Sequence, residues 1–308
     1  MKSARILVTG GAGFIGSHTV DALLRENREV VVLDNLFSGR LNNLDLAHPN
    51  LEFVEGDVLE YPLLVDLLTG CDAVLHLAAI ASVPLSIEKP IYSFQVNTQG
   101  FLHVLQAVYE AKRPIRLVYA SSAAVYGEAA VLPCLDTKPL DGVVLSPYAL
   151  QKRHIEQYAD LYQRLHGTKS LGLRYFNVYG ERQDPASPYS GVISRFLSLY
   201  QQDKALTIFG DGQQSRDFIH VQDVARANCL ALQSDYAGQL NIATGQSETL
   251  LDLIQSIEAA GGRRANLTFA PASAGDIQSS YAATQLALQQ IDFCYTIALG
   301  QGMRRMVS

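Results

Sequence analysis

The sequence predicts an α/β protein in which a doubly wound parallel sheet is joined by a smaller, mixed α/β region nearer the carboxyl terminus. An unbroken apolar run, residues 4–10, passes directly into a glycine-rich turn, which is typical of a strand buried on both faces. Further apolar runs alternate with stretches of helical spacing, as strands and helices do in such a sheet. With 308 residues, 48% of them hydrophobic, the chain is long enough to bury a sizeable core.

The turn after the first strand, "GGAGFIGSH", has glycines at positions 10, 13 and 16, and its glycines at 11, 13 and 16 also fit the spacing G-x-G-x-x-G. Glycines here permit a tight turn, let backbone amides approach a pyrophosphate, and let the helix pack closely on the strand. The helix start adds unpaired N–H groups and the positive end of the helix dipole. We therefore expect a dinucleotide diphosphate to bind at Gly10, Gly13, Phe14, Ile15 and Gly16.

The second predicted strand, "EVVVLD", ends at Asp34, at the expected distance beyond the glycines. A carboxylate there can accept hydrogen bonds from both ribose hydroxyls and would repel a 2′-phosphate, which favours NAD(H) over NADP(H). Asn35 follows directly and belongs to the expected cofactor site. The third predicted strand, "LEFVEGDV", ends at Asp57 and Val58, where the adenine is expected.

Two more strands are predicted at "AVLHLAA", residues 73–79, and "IRLVYASS", residues 115–122, with a helix over residues 97–112 between them. This alternation is typical of a Rossmann-type domain, in which ligands bind at the carboxyl ends of the strands. Small residues in the fourth strand let a cofactor lie close to the backbone. The expected cofactor-binding residues of this part are Leu77, Ala78, Ala79, Asn97 and Ser121.

A candidate reactive pair lies in "LSPYALQK", where Tyr148 and Lys152 are four residues apart and share one face of a predicted helix. A second match to the same short pattern occurs at Tyr200 and Lys204. The first pair follows the strand that ends in Ser122, whereas the second follows no such serine and lies outside the predicted nucleotide-binding part. We therefore interpret the second match as a surface pair.

Seven motifs, taken in their order and spacing, resemble the extended short-chain dehydrogenase/reductase family and, within it, the nucleotide-sugar 4-epimerases. The resemblance covers nearly the whole chain. The motifs are "TGGAGFIGSH", "LDN" at 33–35, "HLAA" at 76–79, "YASSAAVYG" at 119–127, "SPYALQK" at 146–152, "LRYFNVYGERQDP" at 173–185 and "SRDFIHVQDVA" at 215–225.

The resemblance implies that Ser122, Tyr148 and Lys152 are catalytic and that NAD is the cofactor. Tyr148 would take the proton of the sugar 4-hydroxyl while C4 gives a hydride to NAD+, and the hydride would return to the other face of the 4-keto sugar. Lys152 would hold its ammonium near the phenol and the nicotinamide ribose, where this cation and the positive charge of the cofactor favour the phenolate. Tyr175, in the sixth motif, is also expected to bind the cofactor.

Two sister reactions in the family need acidic residues that this sequence does not supply. Nucleotide-sugar 4,6-dehydratases usually carry Thr-Asp-Glu at the position of the catalytic serine, and uronate decarboxylases usually carry Glu two places after it. Here Ser122 is followed by Ala123 and Ala124. Both sister reactions are therefore disfavoured.

The resemblance also implies a set of substrate-binding residues. Asn177 and Arg216 match residues that contact the nucleotide diphosphate, and Asp276 is placed to accept from a ribose hydroxyl. The family often has a second phosphate-contacting arginine where this chain has Ser273, which offers one neutral hydrogen bond in place of a charged, bidentate one. The expected substrate-binding residues are Ser82, Ser122, Tyr148, Asn177, Arg216, Asp276 and Ser280.

The stretches "ASVPLSIEKP" (81–90) and "GERQDP" (180–185) resemble 4-epimerases of UDP-N-acetylhexosamines, and Ser280 stands where a tyrosine narrows the pocket in enzymes restricted to glucose and galactose. We therefore expect the pair UDP-GlcNAc and UDP-GalNAc as substrates, with UDP-Glc and UDP-Gal also possible. Alternatives are a UDP-glucuronate 4-epimerase and an NAD-dependent nucleotide-sugar reductase or dehydrogenase. A non-catalytic NAD sensor is disfavoured, because only turnover needs Ser122, Tyr148 and Lys152 together.

For domains, we expect residues 1–170 to bind NAD, with 215–240 rejoining that part, and residues 171–214 and 241–308 to bind the nucleotide sugar. The net charge of −6 and the lack of a basic block argue against nucleic acid, and no apolar run is long enough for a membrane span. No histidine or cysteine spacing indicates a metal site. Four widely spaced cysteines suggest buried thiols in a reducing cytoplasm. The resemblance implies a homodimer paired through the helices at 97–112 and 148–165.

Overall fold

The structure is a computed structural model that describes residues 4–128, 131–138, 140–184, 191–272 and 277–307. Within these ranges the strands are β1 (Arg5–Thr9), β2 (Glu29–Asp34), β3 (Leu51–Glu55), β4 (Ala73–His76), β5 (Arg116–Ser122), β6 (Ser170–Tyr175), β7 (Asn177–Tyr179), β8 (Leu206–Phe209), β9 (Ser215–Arg216), β10 (Phe218–His220), β11 (Gly238–Ile242), β12 (Glu248–Thr249), β13 (Leu267–Ala270) and β14 (Ser279–Ser280).

The α-helices of the same ranges are α1 (Phe14–Arg25), α2 (Tyr61–Leu68), α3 (Val83–Glu88), α4 (Pro90–Phe94), α5 (Gly100–Glu110), α6 (Pro147–His166), α7 (Val192–Gln201), α8 (Val221–Gln233), α9 (Leu250–Gly261), α10 (Gln285–Ile291) and α11 (Leu299–Val307). A π-helical turn, Gln95–Gln99, joins α4 to α5, and short 3₁₀ turns cover Leu41–Asn43 and Ala123–Tyr126.

Seven strands form one sheet in the order β11-β6-β5-β4-β1-β2-β3, and every neighbouring pair in it is parallel. The strand order reverses between β1 and β4, which makes their carboxyl ends the topological switch point where ligands bind in such sheets. The predicted doubly wound, Rossmann-type fold class is therefore confirmed.

Each face of the sheet buries its own apolar cluster, because successive side chains of a strand point to opposite faces. On one face, Ile6 and Val8 of β1 pack with Val20 of α1 and Val224 of α8. On the other face, Leu7 packs with residues of α2, α5 and α6. The strands therefore read as nearly continuous apolar runs, as strands buried on both faces do.

Two predicted strands end earlier than expected. β3 ends at Glu55, and Asp57 then forms a turn in which its carboxylate accepts the Leu59 N–H at 2.9 Å. β4 ends at His76, whose ring is hydrogen-bonded to the Thr9 hydroxyl at 2.8 Å. Asp57 and the segment from Leu77 to Ala79 therefore lie in loops just beyond the sheet edge rather than within strands.

The expected division at 170/171 and 240/241 cuts through two strands, since β6 and β11 both lie in the large sheet. Helix α8, from the segment expected to rejoin the nucleotide-binding part, packs against α1. A separate apolar cluster joins α7, α9 and α11 around Phe218, Leu253 and Met303. This cluster around Phe218, Leu253 and Met303 is the core of the smaller region.

Three of the four cysteines are buried free thiols, but Cys294 is exposed, so the expectation of buried cysteines is wrong for that residue. Among the described residues, no helix is both long and apolar enough to cross a membrane.

The tight packing at Gly16, in the first turn of α1, can be tested by substitution. A Cβ at this position would lie only 2.1 Å from the Gly10 carbonyl oxygen, so we expect Gly16→Ala to lower the free energy of unfolding by about 3 kcal/mol or more. Gly300→Ala is the matched control, because the nearest atom to a Cβ there is the far end of the Arg304 side chain at 3.9 Å. The control should change stability by no more than about 1 kcal/mol. Equal effects of the two substitutions in urea unfolding would contradict the close-packing argument.

Candidate active site

A cleft opens at the carboxyl ends of the central strands, at the switch point between β1 and β4. It is lined by all of the expected cofactor-binding residues except Asn97, namely Gly10, Gly13, Phe14, Ile15, Gly16, Asp34, Asn35, Asp57, Val58, Leu77, Ala78, Ala79, Ser121, Tyr148, Lys152 and Tyr175. Residues that are far apart in sequence thus meet at one edge, because parallel strands end on the same side of the sheet.

The glycine-rich turn leaves room in this cleft because side chains are excluded from its floor. Gly10 has φ of +71°, and a Cβ there would lie 2.7 Å from the backbone nitrogen of Ala78. Gly13 ends the turn and is the N-cap of α1, and no side chain caps this helix start, so its first N–H groups are left for a ligand. This cradle suits a diphosphate, which binds to backbone N–H groups at a helix start.

Asp34 ends β2 inside the cleft and is almost fully buried. Its two carboxylate oxygens accept hydrogen bonds from the backbone N–H of Ala12 at 2.9 Å and of Leu36 at 2.8 Å. Burial raises the pKa of Asp34, and these two N–H donors oppose that rise. Each oxygen keeps further acceptor capacity, so the residue suits the two hydroxyls of a ribose.

Asn35 and Asp57 hold the neighbouring loops together. The Asn35 amide donates to the Asp57 carboxylate at 2.8 Å, and the Asn35 carbonyl accepts the N–H of Phe37 at 3.1 Å. The loops after β2 and β3 are therefore fixed to one another at the end of the cleft beside Val58.

Asn97 lies behind the cleft wall rather than on it. It is buried, accepts the Ile80 N–H at 2.7 Å, and donates both to the Ile80 carbonyl at 3.1 Å and to Gln151 at 2.7 Å. Its amide thus fixes the loop after β4 to helix α6. In this structure Asn97 holds the cleft wall in place. Its binding of the cofactor stays a prediction.

The predicted catalytic residues meet at one end of the cleft. The Ser122 side chain lies within reach of the Tyr148 phenol, and the Lys152 ammonium lies 5.8 Å from the centre of the Tyr148 ring. Lys152 donates to the carbonyl oxygen of Ala120 at 2.7 Å. Ser146 caps α6 by accepting the Ala149 N–H at 3.2 Å. This cap and Pro147, the first residue of α6, fix the start of the helix.

Burial governs the protonation of this cluster. It raises the pKa of Tyr148, opposed by the hydrogen bond from Ser122, and it lowers the pKa of Lys152 to about 8, opposed by the Glu156 carboxylate. The expectation that Lys152 and the cofactor's positive charge together favour the phenolate stays a prediction. A further positive charge in the cleft is needed to lower the pKa of the phenol.

Sequence reasoning missed a buried carboxylate one turn after Lys152. Glu156 accepts hydrogen bonds from Arg174 at 2.9 and 2.7 Å and from the Ser121 hydroxyl at 2.5 Å. The Arg174 and Glu156 side chains are only 4% and 5% exposed. The spacing from Lys152 to Glu156 is again four residues, which is the one signal in the sequence that places it on the inward face.

The structure describes four of the expected substrate residues that lie away from the catalytic cluster. Ser82 caps α3 by accepting the Leu85 N–H at 3.0 Å. Asn177 begins β7 and donates to the Asp217 carbonyl at 3.4 Å. Arg216 and Ser280 are register partners in the parallel pair of β9 and β14, so they are neighbours across that pair. Ser273 and Asp276 lie outside the described residues.

Nine lining residues were not among the predicted site residues: Leu33, Phe37, Ser38, Gly56, Ile80, Ala81, Tyr92, Val96 and Ala120. Phe37 and Ser38 lie in a loop and Tyr92 in a short helix, where no periodicity points inward.

The second Tyr-x-x-x-Lys match also needs correction. Tyr200 is buried in the smaller core and its hydroxyl donates to the Arg263 carbonyl at 2.9 Å, whereas Lys204 is exposed. The interpretation as a surface pair is wrong for the tyrosine, although the pair does not line the cleft.

The lowered pKa of Lys152 predicts a pH-dependent stability of the cofactor-free protein. Below about pH 8 the folded protein must bury an ammonium; as pH rises from about 8 toward the ordinary 10.5, the folded protein loses this proton before the unfolded chain does. The free energy of unfolding therefore rises with pH over that range. Lys152→Met should stabilise the protein at pH 7 by up to about 3 kcal/mol, and should make its free energy of unfolding depend less on pH. Urea unfolding at pH 7 to 10 measures both effects. Lys204→Met, at an exposed lysine, is the control and should keep the wild-type slope; the same slope in all three proteins would exclude Lys152 as the source.

Known proteins share this fold. The model of the NAD dependent epimerase/dehydratase family matches residues 6–243. The structure of a UDP-N-acetylglucosamine 4-epimerase from Methanobrevibacter ruminantium, in complex with UDP-N-acetylmuramic acid, is 38% identical, with a TM-score of 0.94 and coverage of 100% of this chain and 98% of that one. A UDP-glucose 4-epimerase from Thermotoga maritima with UDP-glucose is 33% identical, with a TM-score of 0.92 and coverage of 98% and 97%.

A UDP-glucuronic acid 4-epimerase from Bacillus cereus, in complex with a fluorinated UDP-glucuronic acid and NAD, is 30% identical, with a TM-score of 0.88 and coverage of 98% of this chain and 97% of that one. The matched segment of the family model includes the glycine turn, Asp34, Ser122, Tyr148 and Lys152. The chain belongs to the NAD-dependent epimerase/dehydratase family.

Proposed function

We propose that this protein is an NAD-dependent 4-epimerase of UDP-sugars that interconverts UDP-GlcNAc and UDP-GalNAc through a transient 4-keto sugar. The observation that carries the proposal is the cluster of Ser122, Tyr148 and Lys152 at the end of a cleft whose glycine floor suits a dinucleotide. The three solved neighbours are each described as a 4-epimerase of a UDP-sugar, which supports the same reaction here.

NAD, when bound, supplies the acceptor and then the donor of the hydride at the sugar C4. Tyr148, once it has lost its own proton, would accept as the phenolate the proton of the sugar 4-hydroxyl, and Ser122 would hold that hydroxyl and relay its proton to the phenolate. Lys152 sits on the next turn of α6, with its ammonium turned toward the cleft by the Ala120 carbonyl. Asp34 binds the ribose at the opposite end.

The residues after Ser122 favour epimerisation over elimination or decarboxylation. Ala123 and Ala124 begin a 3₁₀ turn, and the Ala124 N–H donates to the Ser122 hydroxyl at 3.2 Å. Both positions therefore offer only methyl groups where a dehydratase or decarboxylase of this family needs an acid. A keto sugar formed here has no neighbouring acid to move it toward either reaction.

The preference for a 2-acetamido sugar rests on small side chains. Ser280 lies beside Arg216 in the β9–β14 pair, so a serine rather than a large ring stands next to the expected phosphate-binding arginine. Ser82, the other expected substrate residue before α3, is also small and caps that helix. UDP-glucuronate is the second candidate, because the same room would admit a carboxylate and Ser273 replaces the usual arginine.

The reaction is tested by proton NMR of the purified protein with UDP-GlcNAc, UDP-glucose and UDP-glucuronate in separate tubes and no added cofactor. We expect the anomeric signal of the 4-epimer to appear without added NAD, fastest with UDP-GlcNAc. Faster turnover of UDP-glucuronate would favour the second candidate. Conversion that needs stoichiometric NAD or NADH would instead indicate a reductase or dehydrogenase, and no change of any sugar with NAD present would refute the epimerase.

Tyr148→Phe removes the proposed proton acceptor while keeping the ring. We expect kcat to fall by at least about 100-fold, the usual contribution of a positioned base, with NAD binding nearly unchanged. Tyr200→Phe is the matched control: it removes a buried hydroxyl from the second Tyr-x-x-x-Lys pair and should lower stability but not the turnover of the folded protein. Unchanged turnover in Tyr148→Phe would remove this residue from the mechanism.

We also propose that the protein is a homodimer. An outer apolar face, defined by Ile87, Ile91, Phe94, Tyr158, Leu161 and Leu165, runs along α3, α4 and α6, which pack on one another. Tyr158, Leu161 and Leu165 are spaced as one stripe of a helix. An apolar patch of this kind on a monomer marks an interaction site, and the family resemblance supports a second copy as its occupant. The exposed residues of this face come from α6 and the short helices before α5, and the expected pairing through residues 97–112 and 148–165 stays a prediction.

Leu161→Glu should separate the dimer without unfolding the chain, because 39% of this residue is exposed in one protomer. Leu288→Glu, at a residue that is 49% exposed on α10, is the control and should leave the dimer intact. Light scattering after size-exclusion chromatography measures the mass of each protein. A monomeric wild type, or equal masses for the two variants, would contradict the proposed interface.

A further inference from the structure

A pair of aromatic rings stands at the rim of the cleft, at the end where Asp57 and Val58 lie. Phe37, from the loop after β2, and Tyr92, from α4, have ring centres 5.9 Å apart with their planes tilted by 57°. Both rings line the cleft. Phe37 is 58% exposed, so a large apolar ring remains in water beside a site expected to hold a flat heterocycle.

The loop that carries Phe37 has an unusual backbone. Leu36 has φ of +57°, a left-handed conformation that costs free energy for a residue with a branched side chain. Two side chains hold it there: the Asp34 carboxylate accepts the Leu36 N–H at 2.8 Å, and the Asn35 carbonyl accepts the Phe37 N–H at 3.1 Å. Strain of this kind persists only where neighbouring contacts over-determine the conformation, which is common at ligand clamps.

The same contacts couple the ring to the floor of the cleft. Asn35 also donates to Asp57 at 2.8 Å, so the loop with Phe37 is joined to the loop after β3. Tyr92 keeps its hydroxyl proton, because burial and the nearby Asp57 carboxylate both raise its pKa. A neutral phenol ring and a phenyl ring therefore face the space next to Asp57 and Val58.

We propose that Phe37 and Tyr92 form an aromatic bracket that holds the adenine end of the dinucleotide and slows its release. This inference rests on the proposed function, in which the hydride returns to the sugar that gave it and the cofactor must stay bound between the two steps. Stacking of a base on an aromatic face needs no particular hydrogen-bond pattern, and its loss typically weakens binding about tenfold to a hundredfold.

The test compares NAD release from the wild type with three variants. Phe37→Ala removes the ring, Phe37→Leu keeps an apolar side chain without a π-face, and Tyr92→Phe keeps the ring and removes only the hydroxyl. Each protein is loaded with NAD, separated from free nucleotide, and followed as released NAD is captured by an excess of a second dehydrogenase. Thermal unfolding of each cofactor-free protein checks that the fold is intact.

We expect Phe37→Ala to release NAD about 10- to 100-fold faster than the wild type, Phe37→Leu to lie between them, and Tyr92→Phe to match the wild type. Turnover of Phe37→Ala should come to depend on added NAD, with a higher NAD concentration at half-maximal turnover than in Phe37→Leu, since the ring acts on retention of the cofactor. Two results would overturn the bracket and leave the proposed function standing. One is release at the wild-type rate from both Phe37 variants, and the other is faster release from Tyr92→Phe than from Phe37→Ala. A wild type that binds no NAD would overturn the proposed function together with it.

Discussion

One buried carboxylate holds the reactive helix on the sheet, and the geometry of the site depends on it. Glu156 lies one turn beyond Lys152 and accepts hydrogen bonds from Arg174 of β6 and Ser121 of β5, so it joins α6 to two neighbouring strands. A buried ion pair adds little net stability, because taking the charges out of water costs about as much as their attraction returns. The ion pair instead fixes the rotation and position of α6 on the sheet, which places Tyr148 beside Ser122.

Burial around this carboxylate also sets the charges available for chemistry. The site keeps the phenol of Tyr148 protonated and weakens the hold of Lys152 on its proton when the protein is considered alone. His76 beside them is neutral, since burial first and the nearby Lys152 second lower its pKa to about 3. The protein thus builds a buried pocket, in which one added positive charge has a large effect on the phenol.

Much of the fold and of the cofactor cleft could be predicted from local patterns. β2 has the predicted bounds, and the glycine turn, Asp34 and the strand-end serines occupy one edge as expected. The predictions were less accurate where contacts between distant residues decide the structure. β3 ends before its predicted end, because Asp57 forms a turn. The Asn97 side chain is hydrogen-bonded to Ile80 and Gln151, and Cys294 is exposed.

The sequence by itself determined the alternation of strands and helices, the positions where glycine is required, and the candidates for the reactive side chains, because period, turn chemistry and motif spacing are properties of neighbouring residues. Only the tertiary structure decided which partners those residues meet. It paired Glu156 with Arg174 and placed Phe37 against Tyr92, contacts between segments 18 and 55 residues apart. It also buried Tyr200 in the smaller core, where no pattern of its own segment placed it. Such contacts arise when separate elements pack, and packing depends on shape and burial across the whole chain rather than on local order.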